Sequence, residues 1–345
     1  MIIPGACNLL SSLSPNIIIT GLGNGLGANT RHVSVSDDHG DIFTDYPTAF
    51  GTETGVIGLT WAGSFWAASR GDPSTLKSVS SDSGKTWTDA TTTNAHDLLA
   101  FKPSTGLIAG VQRGTSTPGT SLDGLVWTDA TSTHAFDNAL AHSLVYAPSL
   151  DIFLTTKGTN CNWGFGNTTS AFLSSDGLAY SDHDFGEAAS ISDVCWSPEL
   201  GIFCAVSCAS STSGGHPRAS WTSPDGVVWA KHVNALPDGI WWDAITWCDS
   251  LGLFVVVAGW ELGWGNQPTN QYLTSPDGIN FTARTLPQSA AWRDVKWNGK
   301  VVCALDSVGT GFSKIAISSN ALDWTMKAVD DGVTNLIWTR VGVRR

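Results

Sequence analysis

Hydrophobic and polar positions along this chain fall into a recurring hairpin pattern. A short apolar run ends in an aromatic, a turn follows, and a second apolar run resumes. The clearest examples are DVCWSPELGIFCAV (193–206), AITWCDSLGLFVVV (244–257), SLVYAPSLDIFLTT (143–156) and LLAFKPSTGLIAG (98–110). DVKWNGKVVCAL (294–305) has the same form with a shorter turn. Pro, Ser, Asp and Gly supply the turns, while Val, Ile, Phe and Trp suit a pleated, buried surface. No stretch carries a convincing helical period, so the pattern predicts an all-β chain.

A second phrase alternates with the hairpins. It reads SDDHGDIF (36–43), SSDSGKTW (80–87), SLDGLVW (121–127), SSDGLAY (174–180), SPDGVVW (223–229), SPDGINF (275–281) and, in degenerate form, SSNALDW (318–324). Its closing aromatics are Phe43, Trp87, Trp127, Tyr180, Trp229, Phe281 and Trp324, so the period is about 40–53 residues. Strand chemistry at that period is what four-stranded propeller blades require. Each unit reads strand A, turn, strand B, variable loop, strand C, box, strand D.

The blades are expected at 53–90, 95–130, 139–184, 190–232, 241–284 and 291–328, after a blade split between 15–47 and 333–343; residues 1–14 are an N-terminal extension. In that split blade, Asn16–Thr20 reads as strand B and His32–Ser36 as strand C. The C-terminal stretch around 335–341 then supplies strand A, with Trp338 in the aromatic register, and its pairing closes the ring and removes an exposed edge. The competing assignment places strand A at residues 8–13.

The boxes resemble the Asp-box, or BNR, repeat of sialidase-like β-propellers. The S-P-D-G spelling, with its paired hairpins, is similar to propeller modules encoded in bacteriophage structural genes and in some bacteria. The likeness runs from about residue 16 to 343 and implies a single seven-bladed β-propeller. It is specific for fold and weak for function, because propellers host unrelated activities.

In a C–D turn an Asp carboxylate accepts hydrogen bonds from amides two or three residues on, and Gly supplies the positive φ. Asp38, Asp82, Asp123, Asp176, Asp225 and Asp277 are therefore read as turn fastenings rather than as catalysts or metal ligands. The family places function at the B–C and D–A loops around the central channel. Three B–C loops are long: GLGNGLGANTR (21–31), GTNCNWGFGNTTS (158–170) and GWELGWGNQPTNQ (259–271). Trp163, Phe165, Asn167, Trp264, Asn266, Gln267 and Asn270 combine aromatic faces with amides, which suits sugar contact, protein contact or packing onto the blade. Trp241, Trp242 and Trp292 are expected to act as lid or interface residues.

Arg70, Arg113 and Lys157 follow strand B in three successive blades, and either line one arc fit for an anion or are solvated surface charge. The Arg70-Gly-Asp72 tripeptide carries no weight alone. Asp97, His142, Asp193, Asp243, Asp294 and Asn335 stand where strands A begin, as turn residues or as a ring around the channel mouth.

Composition narrows the classes. The formal charge is −12, and the 18 Lys and Arg are scattered. That argues against nucleic acid, whose phosphates demand clustered bases. Seven cysteines include no C-x-x-C pair. Cys195, Cys204, Cys248 and Cys303 sit in or beside apolar runs and read as buried hydrophobes, so neither a metal nor a cofactor is expected. No basic residue precedes Arg31 and no apolar stretch reaches a membrane-spanning length, so neither a secretory signal nor membrane insertion is expected.

The sialidase chemistry implied by the resemblance needs an arginine triad, a Tyr nucleophile with a Glu partner, an Asp acid and an R-I-P motif. No R-I-P occurs, and Glu53, Glu187, Glu199 and Glu261 fall beside none of Tyr46, Tyr146, Tyr180 and Tyr272. The expectation is thus a non-enzymatic binding or structural propeller of a virion (tail, fibre or other surface part), meeting host-surface carbohydrate or other virion proteins. A sialidase-type hydrolase and a bacterial adhesion or assembly propeller are the competing classes.

Overall fold

The computed structural model describes residues 17–23, 31–46, 56–70, 75–112, 115–131, 134–135, 143–156, 168–189, 191–207, 218–261, 267–306, 314–328 and 336–344. They form seven four-stranded antiparallel sheets, and the one helical segment among them is a single 3-10 turn at Asp249–Leu251. The chain is a seven-bladed β-propeller.

Blade 2 shows the plan: strand A is Val56–Trp61, strand B Trp66–Arg70, strand C Leu76–Ser80 and strand D Thr88–Thr91, hydrogen-bonded in that order. Blades 3 to 7 begin with strands A at Leu98–Lys102, Leu144–Ala147, Ile191–Ser197, Ile240–Cys248 and Trp292–Trp297. Strand D of blades 4 and 6 runs on to Ala189 and Ala290, past the expected limits of 184 and 284. Blade 3 carries an added ribbon, Thr115–Ser116 against His134–Ala135.

Ring closure occurs in blade 1, where Leu336–Val343 pairs with Ile17–Gly23. The register position of strand A lies opposite the residue that pairs with the box serine: Trp61↔Trp66↔Ser80, Trp196↔Phe203↔Ser223. In blade 1 that chain is Val343↔Ile17↔Ser36, so Val343, not Trp338, holds the position; Trp338 faces Gly21. The alternative strand at 8–13 lies outside the described residues.

The boxes fasten each turn and also each blade to its neighbour. In all seven, the serine Oγ donates to Oδ1 of the Asp or Asn two residues on, at 2.6–3.1 Å. In six, that same Oγ accepts the glycine N–H at 2.7–2.9 Å. Each such hydrogen bond contributes about 1 kcal/mol net.

The box glycines have positive φ and pack onto the preceding blade. A Cβ on Gly278 (φ +72°) would sit 2.9 Å from Cys204 Sγ, and one on Gly84 (φ +91°) 2.3 Å from Ile18 Cδ1. Gly278 also gives its carbonyl to the Ser220 hydroxyl of blade 5 at 2.7 Å. Between blades lie the apolar clusters, one per interface, such as Trp242, Ile245, Phe254 and Leu273 of blade 6 with Cys204 and Val206 of blade 5. Cys195, Cys204, Cys248 and Cys303 are free and buried in these layers.

Candidate functional site

Strands A stand innermost, and all seven contribute to the wall of a central cavity of about 470 Å³. Their geometry decides what reaches the lumen. Four residues before the register position the A–B ladder slips by one residue, between Val56 and Gly58, Ile191 and Asp193, Trp242 and Ala244, and Trp292 and Asp294. Blade 1 slips likewise opposite the Thr20–Gly21 step. A bulge inserts one unpaired residue and re-aims side chains. Asp243 and Arg293 are such inserted residues, and both line the cavity together with Ile57 of blade 2.

The next residue along strand A joins neighbouring blades. Asp193 of blade 5 accepts the Ile245 N–H of blade 6 at 2.9 Å, and the Val194 N–H at 2.9 Å through its other oxygen. Asp294 of blade 7 accepts the Val341 N–H of blade 1 at 3.0 Å. Ser143 of blade 4 accepts the Val194 N–H at 3.3 Å and donates to the Val194 carbonyl at 3.2 Å. Arg340 of blade 1 donates through Nε to the Ile57 carbonyl at 2.6 Å. In blade 6 this position is Ala244, which lines the cavity together with Lys296 of blade 7, whose Nζ lies 3.4 Å from Asp294 Oδ1.

The acids named at the strand A entries thus divide. Asp193 and Asp294 are inter-blade staples at the cavity wall. Asp97 is buried, with its backbone carbonyl bonded to the Ser69 hydroxyl. His142 and Asn335 lie outside the described residues.

Burial raises the Asp193 carboxyl above its ordinary value, against the opposing effects of Lys296 and its hydrogen bonds. Burial raises Asp243 to about 6, with Arg293 opposing. Lys296 is penalised by burial, but Asp294 and Asp193 outweigh that and raise it above the usual lysine value. Six charged groups therefore line one side of the cavity: Asp193, Asp243, Asp294, Arg293, Lys296 and Arg340. The opposite side, from blades 2 to 4, is apolar, with Leu59, Leu98, Leu144, Trp61, Phe101 and Tyr146.

Several expected site residues lie elsewhere. Arg70 is fully buried and paired to Asp89 at 3.1 Å, also touching the Ser78 hydroxyl, so it stabilises the outer strands of blade 2 and is not offered to an anion. Trp241, Trp242 and Trp292 are buried instead of forming a lid. Strands A of blades 6 and 7 begin at Ile240 and Trp292, ahead of the entries expected at Asp243 and Asp294, which places these indoles inside the sheets; Trp242 and Trp292 belong to inter-blade clusters.

Gln267 is exposed at the start of strand C, and the Asn270 amide donates to the Leu286 carbonyl of strand D at 3.4 Å. Trp163, Phe165, Asn167, Trp264, Asn266, Arg113 and Lys157 lie outside the described residues. The box carboxylates each accept amides from their own turn. In Asp277, burial opposes ionisation, but the N–H groups of Asn280 and Ile279 and the Ser275 hydroxyl outweigh it and hold the carboxyl at about 2.

Three tyrosines have structural surroundings. The Tyr146 hydroxyl donates to Asp151 Oδ1 at 2.5 Å, the Tyr272 hydroxyl to the Ala321 carbonyl at 2.9 Å, and Tyr180 is buried. No group of His, Cys, Asp and Glu among the described residues has metal-binding geometry. No described helix is long and apolar enough to cross a membrane.

Arg293, Lys296 and Arg340 were not singled out from sequence. Their signal is a charge inside an otherwise apolar inner strand, as in WRDVKW and LIWTRVGV.

No family model matches the chain, and no curated protein matches it. Among solved structures, the fold is similar to that of a protein from Lactobacillus plantarum, with a TM-score of 0.65 at 13% identity over 96% of this chain and 100% of that one. It is also similar to YCF48 bound to a D1 peptide, with a TM-score of 0.55 at 13% identity over 83% and 84%. A third likeness is to hydrazine synthase of Kuenenia stuttgartiensis, with a TM-score of 0.57 at 11% identity over 78% of each chain. At these identities the likeness is one of fold.

Proposed function

We propose that this chain is a non-catalytic binding propeller that engages a protein partner at the face where strands A begin, and that it serves as an attachment or assembly part of a virion. The carrying observation is the employment of its polar residues. The box acids hold their own turns and two of the cavity acids staple blades together, which is the chemistry of a rigid scaffold. What remains open to a partner is the half-charged, half-apolar cavity.

Two further points support the reading. A fold neighbour, YCF48, carries a bound peptide. The S-P-D-G repeats resemble propeller modules of bacteriophage structural genes, which favours the virion setting. Host-surface glycan is the second candidate partner, favoured by the aromatic and amide residues of the long B–C loops.

The test is parallel probing of the labelled chain on a peptide array and a glycan array, with a fluorogenic sialoside assay alongside. Selective peptide binding is expected. Binding confined to glycans, or turnover of the sialoside, would overturn the proposal.

A further inference from the structure

We infer that the central cavity is a binding site for an organic carboxylate with an apolar body. This deepens the reading of the chain as a binding propeller by naming a ligand class for the cavity itself.

The inference follows from which polar groups are already engaged. Three acids and three bases face the lumen, so net charge alone does not choose between a cation and an anion. Hydrogen bonding does. Both oxygens of Asp193 accept backbone amides, and one oxygen of Asp294 accepts an amide while the other faces Lys296. Asp243 Oδ2 presses so closely on Gly259 that a Cβ there would come within 2.1 Å of it, with the Arg293 stem beside them. Of these three acids, only Asp243 Oδ2 is left without a donor, and it is buried against Gly259, so a cation would find a single enclosed oxygen on a wall that carries three basic side chains.

Donors are less occupied. Arg293 is exposed on the wall and makes no hydrogen bond or ion pair with the described residues, although its charge acts on the neighbouring Asp243 carboxyl. Lys296 has one ion-pair contact, at 3.4 Å, and its side chain is 39% exposed. Arg340 lines the same wall but is already engaged, donating through Nε to the Ile57 carbonyl, so it adds positive charge to the site rather than a free donor.

A guanidinium fork matches a carboxylate in geometry as well as in charge. Across the lumen stand Leu59, Leu98 and Leu144, against which an apolar body would lose its water. The cavity, about 470 Å³, lies within the range that small ligands fill. The same chemistry is offered by a free fatty or aryl acid and by the C-terminal carboxylate of an apolar peptide.

The probes are octanoate, octanol and octylammonium, titrated into the full chain at pH 7.5 and followed by calorimetry and tryptophan fluorescence. Octanoate is expected to bind at least about tenfold more tightly than octanol, with octylammonium weakest. Arg293→Gln is expected to remove about tenfold of the octanoate affinity while leaving that for octanol unchanged, and Arg293→Lys to recover part of it. Melting temperatures are measured alongside, because Arg293→Gln removes the charge that favours the Asp243 carboxylate, and an unchanged octanol affinity shows that the cavity is intact.

Equal binding of acid and alcohol, preference for the ammonium, or indifference to Arg293→Gln would each overturn the inference. A tripeptide ending in leucine, compared as acid and as amide, separates the sources: preference for the acid assigns the site to chain termini, and octanoate binding alone assigns it to free acids. Failure with every carboxylate, alongside a positive peptide array, would reject this site and leave the protein-binding reading in place.

Discussion

At the scale of single residues, the boxes show why one side chain type recurs where another would be tolerated elsewhere. Gly278 combines φ +72° with close packing on blade 5, so Gly278→Ala meets left-handed strain and the Cys204 sulfur together. The expected loss is about 2–4 kcal/mol, read from the midpoint of urea unfolding.

Asp243 offers a second residue-scale prediction with a definite sign. Its carboxyl is raised by burial from the ordinary 3.8 to about 6, so the folded state binds the proton more tightly than the unfolded one. The resulting stabilisation is complete below about pH 4 and disappears as pH rises through about 6. Asp243→Asn removes that slope, and should be the more stable protein at pH 7.5 by about 1–3 kcal/mol. Paired urea titrations at pH 4, 6 and 7.5 check both the difference and its direction.

At the scale of elements, the innermost strands carry two kinds of information, and only one was legible beforehand. The hairpin pattern located strand A, its turn and strand B in blades 3 to 7, because buried strands read as apolar runs bounded by turn residues. The bulges were not legible. An inserted residue leaves no mark in an alternation that is already blurred by burial on both faces, so the aim of Asp243 and Arg293 was hidden.

For the same reason Trp241, Trp242 and Trp292 looked like mouth residues when they are strand interior, and Arg70 looked like a free base when Asp89 lay in reach across strands B to D. The acids at strand A entries were visible as a recurring type. Their partners in the next blade were not, since those contacts span some 50 residues of sequence.

The staples give a prediction at this scale. Asp294→Ala leaves the Val341 N–H without its acceptor and Lys296 without its ion-pair partner at the junction of blades 7 and 1, so a loss of about 2–4 kcal/mol is expected. Asp294→Asn, which keeps an acceptor, should recover roughly half in thermal unfolding.

At the scale of the whole molecule, the ring depends on one pairing between residues more than 300 apart in sequence. Leu336–Val343 is the innermost strand of blade 1, and it also packs against blades 7 and 2: the Val341 N–H donates to Asp294, Arg340 reaches the Ile57 carbonyl, and the Arg344 guanidinium lies 5.1 Å over the Trp61 ring. Removing 336–345 therefore strips the inner edge from Ile17–Gly23 and cuts contacts with two neighbours at once. An opened ring has a long, apolar edge strand, the feature that invites pairing with another chain.

The truncated chain is expected to lose its cooperative unfolding transition and to elute as oligomers in size-exclusion chromatography. A synthetic peptide covering 336–345, added in excess, should restore the monomer by refilling the strand. A truncated chain that stays monomeric with an unchanged melting temperature would mean that six blades hold the ring without this clasp, and that blade 1 is an appendage rather than its seal.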